Sequence, residues 1–286
     1  MAPDKISIII VTLNARATIK QSIESVLNQN YNNLELIVID GGSTDGTIEI
    51  LTAYNFGINH WRSEPDKGIY DAMNKGIAIA RGKWILFLGA DDKLCNGILN
   101  EIFLNSPYPS VDLLYGKVAM DNSSKTFGGA SDYQQLIATN IPHQAIFYNK
   151  MLLNKYNGYD LRFKILADYA LNLKSFEDNS TRKLYIDKVV ATYCSTGVSN
   201  RTIDYLFFSE QLAYFILQHG LSKTDKRLAK YYFFIGVTMV LKKNYASGFK
   251  NLLHPILYGG KRFYHFLLVC NFLLTLAGFG RKFKYV

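Results

Sequence analysis

Three apolar runs, Ile6–Val11, Leu34–Ile39 and Trp84–Leu88, punctuate the N-terminal third of the chain. Each passes directly into polar residues: Thr12-Leu13-Asn14, then Asp40-Gly41-Gly42, then Gly89-Ala90-Asp91-Asp92. Apolar runs without alternation belong to strands covered on both faces, the condition of a parallel sheet between layers of helix. The intervening segments have helical spacing. Ile19, Ile23, Val26 and Leu27 recur within residues 17–28, and residues 70–80 read as a helix that stops at Gly82. Another helix starts near Thr47, with Ser43, Thr44 and Asp45 competing for its cap. With His60–Ser63 as a short third strand, the order β-α-β-α-β-α-β predicts an α/β fold around a doubly wound, mostly parallel sheet.

Such sheets bind ligands at the carboxyl ends of their strands, and those ends here carry Asn14, Asp40 and the Asp91-Asp92 pair. Adjacent acids suit a hard divalent cation, Mn²⁺ or Mg²⁺, and through it a diphosphate. The plain alternative is a surface turn, where Asp is common. Asp40 can accept a hydrogen bond from a base N–H or a ribose hydroxyl, while Gly41 and Gly42 let backbone approach a ligand. No GxGxxG or GxxxxGK[ST] occurs, which counts against dinucleotide and P-loop folds. In the stretch Asp66–Gly76, Asp66-Lys67-Gly68 reads as a turn. Asp71 and Asn74 share a helix face able to reach a ribose or sugar hydroxyl, with Lys75 toward phosphate. Otherwise this is an ordinary amphipathic helix. His143-Gln144 and Asp168 are the remaining polar candidates. Asp168 opens a helical pattern, so residue chemistry alone leaves it as either a helix cap or a general base.

The pattern loosens over residues 97–200. Asp112–Met120 and Val189–Tyr193 suggest strands, and residues 149–157 and 168–176 suggest helices. Beyond 201, aromatic-rich helices are expected at 201–219, 224–243, 245–257 and 261–279, giving a catalytic region 1–200 (halves 1–95 and 96–200) and a helical region 201–286. The net charge of +9 is uneven: residues 221–286 hold 12 Lys/Arg and a single acid, Asp225. Such a segment implies an acidic surface as partner. His265–Gly280 lacks formal charge but falls short of the ~20 residues needed to span a bilayer, and its basic, aromatic flanks suit a helix lying in the interface. Packing on the catalytic region, or a homodimer contact, are the alternatives. Long apolar stretches in place of evenly spaced basic residues argue against nucleic acid. Cys95, Cys194 and Cys270 have no metal-ligand or disulfide spacing. They suit a reducing compartment, and the N-terminus lacks signal-peptide features.

Taken together, the motifs resemble family 2 glycosyltransferases of the GT-A fold. Ile8–Asn14 looks like that family's first strand and turn, Ser22–Gln29 its first helix, and Glu35–Thr47 its second-strand signature. Asp66–Gly76 and Gly89–Asp92 are similar to the subgroup building bacterial O-antigen, capsule and exopolysaccharide units. The resemblance covers residues 5–200. It implies nucleotide-sugar contacts, with a UDP-sugar foremost, from Thr12, Asn14, Asp40, Asp71, Asn74 and Asp91. It further implies metal binding by Asp92 and Asp91 with Asp92 foremost, acceptor contacts from His143 and Gln144, and Asp168 as catalytic base. Tyr193–Ser199 looks like a loop that closes over the donor. Gly89, Met73 and Ala167 stand where many members carry Asp, Arg and Glu.

The function this implies is inverting transfer of one hexose or N-acetylhexosamine to a lipid-linked (polyprenyl-diphosphate) saccharide. The enzyme would be cytoplasmic, resting by its basic tail on the anionic inner face of the cytoplasmic membrane. The alternative is a nucleotide-sugar-binding protein of the same fold without turnover.

Overall fold

The computed structural model describes residues 3–104, 108–121, 123–194, 203–260 and 262–276. The chain forms two compact units, one of Met1–Leu136 with Asn140–Gly197, the other of Ile137–Thr139 with Val198–Val286.

In the first unit, β1 (Ile6–Thr12), β2 (Leu34–Asp40), β3 (His60–Ser63) and β4 (Trp84–Gly89) alternate with α1 (Ile19–Leu27), α2 (Thr47–Ala53) and α3 (Ile69–Ile79). The four strands are parallel, in the order β3-β2-β1-β4. Both faces of β1 are buried, as its unbroken apolar run predicts. Ile6, Ile8 and Ile10 share a core with Ile19, Ile23 and Val26 of α1 and with Leu51 of α2. Ile9 points to the other face, where α3 lies so close that a Cβ on Gly76 would sit 2.6 Å from the Ile9 side chain. Gly76 thus sets the height of α3 over the sheet. Each fully buried Ile contributes roughly 1.5–3 kcal/mol over an exposed one, so the strand ends rest on a stiff base.

The sheet continues through β8 (Ile146–Asn149), antiparallel to β4, then β6 (Leu113–Met120), β9 (Lys183–Tyr193) and β5 (Lys93–Leu94); β7 (Thr126–Phe127) pairs with β6. Helices α4 (Ile98–Phe103), α6 (Lys150–Lys155) and α7 (Ala167–Glu177) complete this unit, with α5 (Tyr133–Ala138) beside the boundary. Residues 149–157, expected as helix, divide between the end of β8 and α6, where Asn149 caps the helix by accepting from the Met151 N–H. Strand β9 starts six residues before the expected Val189. Its first half is only partly buried, and its short Leu184–Ile186 run is cut by Asp187 and Lys188.

The second unit holds α8 (Tyr205–Leu217), a 3₁₀ turn at Lys226–Leu228, α9 (Ala229–Leu241), α10 (Tyr245–Tyr258) and α11 (Arg262–Leu276). Phe233, Val237 and Val240 of α9, Leu252 of α10, and Val269 and Phe272 of α11 form its core. Among the described residues no helix is long and apolar enough to cross a membrane. The stretch expected to lie in an interface, His265–Gly280, contributes Val269 and Phe272 to this core; its last four residues lie outside the described residues.

Candidate active site

The register of the parallel strands aligns their polar ends. Thr12 pairs with Asp40, Asp40 with Ser63, and Val11 with Gly89. What each strand-end residue does there depends on its hydrogen bonds.

Asp40, expected at the nucleoside, is fully buried. Its carboxylate accepts from the N–H groups of Gly42 (2.9 Å) and Ser43 (2.8 Å), and from the hydroxyls of Ser63 (2.6 Å) and Ser43 (2.5 Å). Three of these bonds fall on Oδ2 and one on Oδ1, and together they fasten the β2–α2 loop to β3. Asn14 is likewise engaged. Its Oδ1 accepts from the Thr44 N–H and its own N–H donates to Ser43 Oγ, tying the first loop to the second. Thr12 differs: its hydroxyl is buried with no partner, an arrangement costing about 1–3 kcal/mol unless a ligand supplies the bond.

Asp66, read from sequence as part of a turn, has two attachments. Its Oδ1 accepts from the Gly68 N–H at 2.8 Å, which makes the turn. Its Oδ2 lies 2.5 Å from the point a Cβ on Gly41 would occupy, and Leu13 Cδ1 lies 3.5 Å from that point. Leu13 is 57% exposed. Because Gly41 has no side chain, the Asp66 carboxylate packs over its backbone, with Leu13 beside it. Nothing in the spacing of Asp66 and Gly41 could have shown this.

Asp71 and Asn74 do not converge on a ligand position. Asp71 accepts from the Lys67 N–H and pairs with Lys75; these bonds, the Lys67 one foremost, hold its carboxyl below the usual range. Lys75 also pairs with Glu64 at 2.9 Å. Both amide atoms of Asn74 bond to the Tyr159 backbone. The shared helix face expected for a sugar or ribose therefore secures a turn and a loop.

Asp91 and Asp92 follow β4 on a tight turn in which the Asp92 N–H donates to the Gly89 carbonyl. A methyl on Gly89 would lie 2.7 Å from Asp92 Oδ2 and 3.0 Å from Asp91 Oδ1. Two carboxylate oxygens thus converge over a residue without a side chain. Asp92, expected as the leading metal ligand, is buried. Its Oδ2 accepts from Gln144 Nε2 (2.8 Å) and its Oδ1 from the Cys194 N–H (3.0 Å). Asp91 is the more open of the two. Burial, then the neighbouring Asp92 charge, push its carboxyl above the usual range. Among the described residues no group of three or more His, Cys, Asp or Glu is arranged around a metal position. The pair nevertheless fits a divalent cation that takes its other ligands from phosphate and water.

Asp168 lies inside the first turn of α7, with Leu166 at the cap position, so the cap alternative falls away. The carboxylate is buried. Tyr70 Oη sits 2.6 Å from its Oδ1, Asn140 Nδ2 donates to its Oδ2 at 3.0 Å, and His143 Nδ1 is 3.8 Å from Oδ2. Behind it, Tyr148 donates to Asn172 and Asn172 to Asn140. Burial raises the Asp168 carboxyl, but the His143 and Tyr70 contacts outweigh it and hold it below the usual range. His143 shifts oppositely: burial opposes its charge, and Asp168, Asp92 and Asp91 overcome that and raise its pKa. Burial raises the Tyr70 phenol well above its ordinary value, helped by Asp168, so it stays a proton donor.

One 3₁₀ turn, His143–Ala145, joins the two acid centres. His143 faces Asp168 and Gln144 holds Asp92. Gln144, expected at the acceptor, is buried and spends one amide N–H on Asp92. Of the expected donor-closing loop, Tyr193 and Cys194 are described; the remainder lies outside the described residues.

Known proteins share both sequence and fold with this chain. Residues 7–101 match the model of Glycosyl transferase family 2. A PGL/p-HBAD biosynthesis glycosyltransferase of Mycobacterium bovis (strain BCG / Pasteur 1173P2) is 40% identical over 214 residues, covering 71% of this chain and 82% of the relative. The structure of Staphylococcus aureus TarS 1-349 in complex with UDP-GlcNAc superposes with a TM-score of 0.61 at 18% identity, covering 96% of this chain and 88% of that one. Against a longer TarS chain this protein spans 42% of the length. The mannosyltransferase PcManGT of Pyrobaculum calidifontis, in complex with GDP-Man and Mn²⁺, gives a TM-score of 0.54 at 14% identity over 98% and 82% of the two chains.

Proposed function

Because the chain belongs to glycosyl transferase family 2 and has the GT-A fold, we propose that it is an inverting glycosyltransferase. It moves one hexose or N-acetylhexosamine from a nucleoside-diphosphate sugar, a UDP-sugar, to a hydroxyl of a lipid-linked saccharide. The observation that carries this proposal is the His143–Gln144 bridge. Through these two neighbouring residues a pair of acids suited to a diphosphate and a buried acid suited to a proton are linked within one short turn.

In this mechanism the acceptor hydroxyl gives its proton to Asp168 as its oxygen bonds the anomeric carbon. The bond from that carbon to the diphosphate breaks, and the electron pair leaves with the nucleotide. Tyr70 and Asn140 fix the Asp168 carboxylate, and His143 keeps it ionised at neutral pH, as a general base requires. Attack opposite the departing nucleotide inverts the centre, giving a β-link from an α-donor. Asp91, backed by Asp92, would hold Mn²⁺ or Mg²⁺, which neutralises charge on the leaving diphosphate. Leu13 and Asp66, which meet beside Gly41, are assigned to the nucleobase, and the unpaired Thr12 hydroxyl to a polar atom of the nucleoside.

The donor class draws support from TarS, solved with UDP-GlcNAc, and the cation from PcManGT, solved with Mn²⁺. A lipid-borne acceptor at the inner face of the cytoplasmic membrane draws support from the basic helical unit. The test is a panel of UDP- and GDP-sugars in thermal shift with Mn²⁺ or with EDTA. A true donor raises the melting temperature by linkage, and only with the cation. No shift with any nucleotide sugar would overturn the donor assignment.

A further inference from the structure

Helix α10 carries two apolar faces, and only one of them is used inside its unit. Gly248, Leu252 and Pro255 are buried. A Cβ on Gly248 would come within 2.9 Å of the Val240 backbone nitrogen, so this flank lies close against α9. Around the helix from it, Tyr245, Phe249, Leu253 and Leu257 recur every fourth residue and are 54%, 42%, 53% and 53% exposed. Residues four apart stack along one helix face, so these four form a continuous exposed strip over the whole helix. Ala246, also exposed, falls within it.

The charged residues of α10 and of the turn before it are all basic. Lys242 and Lys243 stand exposed just before its Tyr245 end, and Lys250 at its edge. Helix α10 contains no acid. The single acid of residues 221–286, Asp225, is paired with Arg227 at 2.5 Å. An apolar strip with a basic rim complements a surface with anionic headgroups and hydrocarbon beneath. It suits a second copy of the chain poorly, since two like-charged rims would face each other. Nucleic acid would leave the apolar strip unmatched.

We propose that the exposed face of α10, Tyr245–Phe249–Leu253–Leu257 with Lys242, Lys243 and Lys250, is the surface by which this protein docks on an anionic lipid bilayer. This places the contact on α10. Helix α11, the apolar stretch that sequence alone favours, turns Val269 and Phe272 into the core and exposes Tyr264, Phe266 and Leu267, which do not recur every fourth residue as the strip of α10 does. The proposal shares with the transferase assignment only the idea of a lipid-borne acceptor. It is tested without donor or acceptor, so the two fail separately.

The experiment is flotation of the full chain with vesicles of phosphatidylcholine alone or with phosphatidylglycerol. Wild type is expected to float only with the anionic vesicles. The surface variant Phe249→Glu/Leu253→Glu is expected to lose binding by about tenfold or more, with an unchanged circular dichroism spectrum. Lys242→Glu/Lys250→Glu should lower binding roughly fivefold or more per charge and remove its dependence on anionic lipid. The control Phe56→Glu, a highly exposed apolar residue of the first unit, should bind as wild type. Equal binding to both vesicle types, or unchanged binding by the Phe249→Glu/Leu253→Glu variant, overturns the proposal. So does a dimer in sedimentation velocity that this variant abolishes while vesicles bind neither protein.

Discussion

The loops after β2 and after β4 present the same chemistry in sequence, acids next to glycine at the carboxyl end of a buried strand, and opposite chemistry in structure. Asp40 is closed: four donors from its own loop and β3 occupy it. Asp91 is half-buried beside a second carboxylate, and its charge is opposed by that burial and by its neighbour. A strand-end acid is therefore not a ligand by position alone. Hydrogen-bond accounting separates them, because a carboxylate holding four donors gains less from a further partner than one pressed against a second carboxylate gains from a cation.

Substitutions separate the spent acids from the working ones. The largest effect is expected at Asp168. Asp168→Asn should lower kcat by roughly 10²–10⁴-fold, with donor affinity in calorimetry unchanged; a rate within a few-fold of wild type would remove it as base. Next, Asp91→Asn and Asp40→Asn should respond in opposite ways. Asp91→Asn loses cation-dependent donor binding and keeps its melting temperature. Asp40→Asn loses about 2–4 kcal/mol of stability, since charge-assisted bonds to four donors weaken together. If both variants behave alike, the contrast between the two loops is wrong.

A smaller effect, on pH dependence, probes the bridge. In His143→Ala the burial that raises Asp168 is no longer opposed by the imidazole, so the acid limb of kcat/KM moves to higher pH. The stability change has its own sign. The folded pKa of His143 is raised, so its contribution is full below the unfolded value of about 6.5 and fades as pH rises through the folded one. Denaturant melts should thus show a larger loss at pH 6 than at pH 9. An unmoved acid limb would mean that His143 does not act on the base. Smallest is Thr12→Val, which removes a buried hydroxyl without a partner. The free protein is expected to gain about 1 kcal/mol while donor affinity falls a few-fold; a loss in both would make Thr12 structural.

How much was legible in the sequence follows the same physics. Strands β1, β2 and β4 are buried on both faces and read as apolar runs, so the parallel half and its ligand edge were predictable. Strand β8 has only four residues, too short a run to separate from the helix after it. The start of β9 is only partly buried, and its short Leu184–Ile186 run is cut by Asp187 and Lys188 before the buried part begins. At the site, residue types and motif positions were visible, but their bonds were not. Tyr70 and Asp168 are 98 residues apart, and Asn140 and Asp168 are 28 apart, so only the fold brings them together. The four donors on Asp40 and the Asp66 carboxylate over Gly41 depend on backbone N–H directions and side-chain placement that no spacing encodes.

The central claim is that the acid pair after β4 and the buried Asp168 form one inverting transfer site. Its most direct test is proton NMR of the reaction with an α-linked UDP-sugar and a saccharide acceptor, followed with Mn²⁺ and with EDTA. The predicted result is a β-anomeric product signal that grows only with the cation. An α-linked product, or equal turnover in EDTA, would contradict it.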